Sequence, residues 1–425
     1  MGKSIAPERR TRVDLIVTAA IVVAVVVAGL VVWATSDARQ AHLETAPAAP
    51  STPAAAEESP QTLRVAWTAP SSATRIPQLT AASVITADGG SVTAHDPATG
   101  SVRWRYTRDD ELCGALAAWP GGADRVLAVY RNSRGCSEVT ALRGDTGLRA
   151  GARTSDADTS VALSYDGDYA LSVGDTRLET WGTNMVRGIE YGRIDAPVNP
   201  DKTPGRTNCR IFSALPGGSR VALVERCDGD LGYRLTVIGA AQSSDEKIIQ
   251  WGTTMLTRTS HGPAPQIIAN TSQAVAVYDG GVDETGETGR IPGPRIRVYT
   301  PQAEPVSTHP VSGDAALPTS TAPVTDSGVI TAWTGTGTVV IDGTTAVPMY
   351  QVPGAIGPGS VMAGELLLPM HGAISVRQLS DGHEVRSIPV DRAGYDADAA
   401  RPVALRVLGP WVVEQRGATV VALSS

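Results

Sequence analysis

Val84-Ile85-Thr86-Ala87, Asp88-Gly89-Gly90, Ser91-Val92-Thr93-Ala94, Asp96-Pro97-Ala98-Thr99-Gly100 and Ser101-Val102-Arg103-Trp104 follow one another in a single run. The first and third pieces are short apolar strands, and Asp-Gly-Gly between them is a hairpin turn. Asp and Gly supply turn geometry that β-branched residues resist. The Asp-x-x-Thr-Gly piece then turns the chain into a strand that ends on Trp104. Three strands in about twenty residues, with no room for a helix, make an up-and-down antiparallel unit.

The pattern returns along the chain. Glu138–Leu142 runs into Arg143-Gly144-Asp145-Thr146-Gly147, and Ile374–Leu379 runs into Ser380-Asp381-Gly382. Periods of 40–50 residues with four short strands are the signature of a β-propeller blade. Eight such units start near Arg75, Leu112, Ser160, Asn208, Pro265, Thr321, Gly357 and Arg401. The third and sixth are the least regular, and seven blades would result if one failed. The ends supply a closure. Thr419–Leu423 matches the third strand of a unit, and the chain stops where the fourth should begin. Leu63-Arg64-Val65-Ala66-Trp67 carries the V-x-W of Val102-Arg103-Trp104, so it can serve as the missing outer strand. A pair of β-sandwiches, the rival architecture, would not need complementary ends. Closing the ring removes two open sheet edges. The expected fold is therefore all-β, an eight-bladed propeller over residues 61–425.

The unit Ala94–Trp104 resembles the PQQ-type propeller repeat: a strand, an Asp-x-x-Thr-Gly turn, and a strand ending in Trp. The chain also resembles the propeller lipoprotein family of the outer-membrane barrel assembly machine, and its layout is similar to actinobacterial membrane-anchored propeller proteins. The resemblance covers 61–425, with only the first unit matching in full. It implies blade architecture and no cofactor site.

Ahead of the propeller, Lys3, Arg9, Arg10 and Arg12 precede an uncharged apolar run from Leu15 to Trp33. Its length suits a helix crossing a bilayer. The basic flank places residues 1–14 in the cytoplasm, 15–34 in the membrane and the rest outside. A cleavable signal peptide is the alternative, although its apolar region is ordinarily shorter, about 7–15 residues. Residues 35–60 are rich in Ala, Pro, Ser, Thr and Glu and read as a disordered stalk.

Cys113, Cys136, Cys209 and Cys227 form an even set in a compartment where disulfides persist. Cys113 precedes Pro120-Gly121-Gly122 as Cys209 precedes Pro216-Gly217-Gly218, and a returning strand opens at Arg125 and Arg220. The expected pairs are Cys113–Cys136 and Cys209–Cys227. Zinc, the alternative, usually takes ligands in closely spaced pairs, which are missing here.

In a blade, turns after the first and third strands lie on one face of the ring, called here the turn face. Turns after the second strand, and the links to the next blade, lie on the other, the link face. Both disulfides and the acidic loop Asp279–Arg290 fall on the link face. The expected partner-binding surface is therefore there, with Arg131, Arg134, Asp228, Asp230, Asp283, Glu284 and Glu287 as its candidate residues. Loops on a rigid scaffold commonly carry recognition, but disulfides that only stabilise an exposed domain would give the same sequence.

Other signals are thin. Ser244-Asp245-Glu246-Lys247 matches S-x-x-K without its companion motifs. Asp279–Glu287 lacks the alternating ligands of a calcium loop. Six scattered histidines form no metal motif, and His95 and His383 are expected in solvated turns. Trp67, Trp104 and Trp251 end outer strands and are expected to pack between blades. The balance of 36 basic to 43 acidic residues argues against nucleic acid as a partner. The expectation is a non-enzyme with no cofactor and no metal: a membrane-anchored scaffold for an envelope protein. A channel binding cell-wall glycan or a small ligand is the alternative, and a quinone-dependent oxidoreductase the remoter one.

Overall fold

The computed structural model describes residues 11–34, 39, 41–194, 206–256, 263–280, 293–314, 316–317, 322–395 and 401–425. Eight antiparallel four-stranded blades form the fold, with inner strands at Gln78–Leu79, Leu112–Ala118, Ala162–Tyr165, Arg210–Gly217, Gln266–Asn270, Val324–Asp326, Ser360–Met362 and Val403–Leu408. Each begins within a few residues of a unit start read from the repeat. The ring closes as the ends required. Arg64–Pro70 is the outer strand of blade 8, pairing Val65 with Leu423 and Thr68 with Val421.

A thin blade cannot bury a core by itself, so the apolar residues gather between blades. The eight main hydrophobic clusters each join one blade to its neighbour. Trp104, Tyr106 and Val126 fill the seam of blades 1 and 2. Leu79, Val84, Val413 and Val420 fill the closing seam of blades 8 and 1. This is how a chain with one phenylalanine, Phe212, builds a stable interior: Val, Ala, Leu and Ile fill narrow seams, with a few large rings as wedges.

The wedges sit on the repeat's own turn. Trp104, on the outer strand of blade 1, is fully buried, and its Nε1–H donates to the Gly144 carbonyl in the turn of blade 2 at 3.0 Å. A Cβ on Gly147, whose φ is +75°, would lie 2.8 Å from the Trp104 ring. Trp67 of blade 8 rests on Gly100 in the same way, donating to the Pro97 carbonyl at 3.0 Å. Trp251 departs from the expected role. It is 43% exposed and faces outward with the Arg220 guanidinium 5.0 Å over its ring. Its neighbour Gly252 meets blade 5 instead, where a Cβ would strike the Gln302 backbone at 2.0 Å. His95 also departs from expectation. It is buried, its Nδ1 2.9 Å from the Gly100 carbonyl and its Nε2 2.9 Å from Thr86 Oγ1.

Arg12–Ala34 is one continuous helix, long and apolar enough to cross a membrane. The stretch after it corrects the expected stalk. Ala41–Glu44 is a fifth strand on the outer edge of blade 1, pairing Ala41 with Arg108 and Glu44 with Arg105. The chain then runs over the turn face. The Ala46 amide donates to the Thr146 carbonyl of blade 2, Pro53 lies against Gly409 of blade 8, and Ser59 hydrogen-bonds Glu365 and Arg386 of blade 7. Ala and Pro composition signals disorder only when nothing offers the backbone a partner. Here the open edge of blade 1 does so.

Candidate functional site

The link face is built around the two disulfides. In blade 4 the register pairs Arg210 with Arg226, which sets Cys209 and Cys227 opposite each other at the mouth of one hairpin. In blade 2 a bulge between Leu112 and Gly114 frees Cys113 to reach Cys136 on the third strand. Both expected pairings are present. Glu225 lies close to the Cys209 and Cys227 sulfurs, a grouping of three metal-ligand types. The sulfurs are bonded to each other, however, and the Glu225 carboxylate accepts hydrogen bonds from Tyr191 at 2.8 Å and Thr236 at 2.6 Å. That carboxylate is a buried structural acceptor, with Arg206 3.2 Å away as its ion-pair partner.

The expected face residues divide once placed. Arg134 is exposed at the tip of the blade 2 loop, its amide held by Asn132 Oδ1 at 2.7 Å. Arg131 is tied back, pairing with Glu111 at 2.8 Å and donating to the Thr159 carbonyl at 2.7 Å. Asp228 is exposed and accepts from Asn208 at 2.7 Å. Asp230 turns inward: its carboxylate takes the Arg234 guanidinium and the Cys227 amide, which holds its pKa below the usual carboxylate range. It shapes the loop and presents nothing outward. Asp283, Glu284 and Glu287 lie outside the described residues. Asp279, at the root of their loop, is buried and bound to Arg295 and Arg297, each at 2.8 Å.

The residue that sequence reading passed over is Leu231. It is 99% exposed at the crown of the Cys227–Tyr233 loop. A lone apolar side chain among Cys227-Asp228-Gly229-Asp230 and Gly232 was visible in the sequence as an oddity, since turns are otherwise polar. A loop closed by a disulfide at its base and an ion pair at its shoulder holds that leucine out in water.

The link face is also where the chain arrives from the helix. Ala41 pairs with Arg108, the residue at the link-face end of its strand, and six residues separate it from Ala34. Fully extended, that tether spans roughly 25 Å at about 3.3–3.6 Å per residue.

No protein-family model and no curated protein matches the sequence. Among solved structures the chain is similar to BamB from Moraxella catarrhalis, at 12% identity over 86% of this chain and 98% of that one, with a TM-score of 0.50. It is likewise similar to the computationally designed Ika8 protein, at 13% identity over 84% of this chain and 98% of that one, with a TM-score of 0.51. At such identities the likeness is one of fold alone.

Proposed function

We propose that this chain is a single-pass membrane protein with its N-terminus in the cytoplasm and its propeller outside, and that the propeller is a non-catalytic interaction module. Its link face turns toward the bilayer and receives a protein that lies in or on the same membrane. The observation that carries this reading is the short tether. A strand clamped to blade 1 within roughly 25 Å of the helix end keeps the link face near the membrane surface. The arrangement of Trp33 at the end of the helix, with the Arg39 guanidinium 4.3 Å over its ring, suits a membrane–water boundary. Two disulfides on that face fit an oxidising compartment. Leu231 and Arg134, held out on stiffened loops, are the contacts such a partner would meet first.

Photo-crosslinking in intact cells tests this, with the probe placed in turn at Arg134, Asp228 and Leu231, and at Asp381 on the turn face as control. One membrane protein captured from the first three positions and not from the control is expected. Capture from neither face, or equally from both, removes the link face from consideration. A reporter enzyme active only outside the cytoplasm, fused after Ser425, checks the orientation separately.

A further inference from the structure

The middle of the ring is an open cavity of about 1060 Å³, walled by blades 1 to 6 and by Arg406 of blade 8. Elsewhere the molecule shows how it treats a guanidinium removed from water. Arg108 pairs with Asp110, Arg177 with Glu190, Arg295 with Asp279 and Arg392 with Glu414. Arg220, the buried arginine without a carboxylate, donates to the carbonyls of Thr271 and Ser272. An unpaired buried charge is costly, so this consistency is expected.

Two arginines on the cavity wall, Arg75 exposed and Arg406 partly buried, stand apart from this pattern. Arg406, on the inner strand of blade 8, and Arg75, on the segment leading into the inner strand of blade 1, make no hydrogen bond or ion pair with any described residue. Arg75 is exposed to the cavity and Arg406 partly so, yet the surrounding walls hold both guanidinium pKa values below the ordinary value. Among the described residues the carboxylate acting on Arg406 is Asp326 of blade 6, whose Oδ2 already serves Ser360 and the Val361 amide. Blades 8 and 1 are neighbours in the closed ring, so both cations come from one side of the cavity. The acidic lining lies two to three blades away and is already engaged. Asp158 holds the amides of Thr176 and Arg177, Asp166 caps its own turn, and Asp175 pairs with Arg210.

We infer that Arg75 and Arg406 form an anion-binding site, and that the channel takes a small ligand through a carboxylate or phosphate group. Guanidinium forks match both groups geometrically. The volume admits a molecule of metabolite or short-glycan size, within the range of ordinary ligand cavities. This site is independent of the protein-binding face, which lies on loops outside the channel.

The test uses the full chain in detergent at low ionic strength, titrated by calorimetry with inorganic phosphate and with citrate. Binding of at least one probe is expected, weakened about tenfold or more by R406Q and by R75Q, the loss due to one charge-assisted hydrogen bond. Arg134→Gln on the link face should leave it unchanged. Phosphate binding without citrate assigns a phosphoryl ligand, and citrate without phosphate a carboxylate. A second readout guards against misfolding. Ligand-free R406Q should melt no lower than the parent, because it removes an uncompensated charge, and it should lose the rise in Tm that the bound anion gives the parent. Silence from both probes, or undiminished binding in both variants, overturns the inference. So does an R406Q protein that melts well below the parent, which would make Arg406 a structural residue.

Discussion

Replacing Trp104 with alanine should be among the most damaging single changes in this protein. The ring is fully buried between blades 1 and 2 and caps the Gly144–Gly147 turn. A buried tryptophan takes about 200 Å² out of water, which at about 25 cal/mol per Å² is ~5 kcal/mol. Losing its hydrogen bond to the Gly144 carbonyl adds about 1 kcal/mol, and relaxation of the turn into the gap offsets a similar amount. The expected cost is about 4–5 kcal/mol. Trp67 makes the same contact at the closing seam but is only partly buried, stacked on His95 at 5.2 Å. Its replacement should cost about 2–3 kcal/mol by the same area argument. Trp251, exposed and held mainly by Arg220, should cost about 1 kcal/mol. Urea unfolding of the three variants, followed by far-UV circular dichroism, gives the order directly. If Trp251→Ala proves as costly as Trp104→Ala, the idea that ring-on-turn wedges hold the blades together is wrong.

Other expectations follow from the same structure. Gly147→Ala should cost about 2–3 kcal/mol, combining a left-handed φ with a methyl pressed onto Trp104, and a thermal melt measures it. Removing the Cys209–Cys227 bridge, whose sequence separation is 18, should cost about 3 kcal/mol by loop-closure entropy. Denaturation of the Cys209→Ala/Cys227→Ala double variant checks this against the parent. His95 predicts a pH dependence. Burial holds its imidazole pKa below the ordinary value, so the unfolded chain takes up a proton that the folded one resists. Its contribution is whole above about pH 6.5 and is lost as pH falls through the folded pKa. Melting temperature should decline in that window, and His95→Gln should flatten part of the decline. A separate loss below about pH 4 belongs to carboxylates such as Asp145, whose pKa the Arg143 hydrogen bonds hold at about 2.

Much of the ring was legible because a propeller repeats its chemistry. The V-x-W of Val65–Trp67 and the third-strand pattern of Thr419–Leu423 announced the closure from two ends of the repeat series. The turn signature faded for a physical reason. The left-handed position that Gly100, Gly147 and Gly382 occupy is taken by Met185, Glu246, Ala303 and Ala346 in other blades, each at positive φ. Those blades accept local strain because the seams around them enforce the turn, so the motif vanishes while the geometry persists. The strand Ala41–Glu44 was opaque because its partner is a row of backbone groups on the edge of blade 1, which no side-chain pattern records. The disulfides were readable because hairpin geometry follows from spacing. The burial of Asp230 and the openness of Arg75 and Arg406 depend on which way side chains point, and spacing does not carry that.

The strand Ala41–Glu44 has a mechanical consequence. It enters at the link face and lies along Val102–Arg108, so tension from an anchored helix pulls it lengthwise and loads all its pairings at once. Strands loaded in shear resist far better than strands peeled from one end. Once that clamp yields, the contacts at Thr146, Gly409 and Glu365 come under load in turn, ahead of the ring-closing strand at Arg64. Their release would pay out about twenty residues, roughly 70 Å of line. With the helix anchored as proposed, the same chain would have two working lengths, a short one that presses the propeller to the bilayer and a long one that lets it range further out, with force as the selector between them.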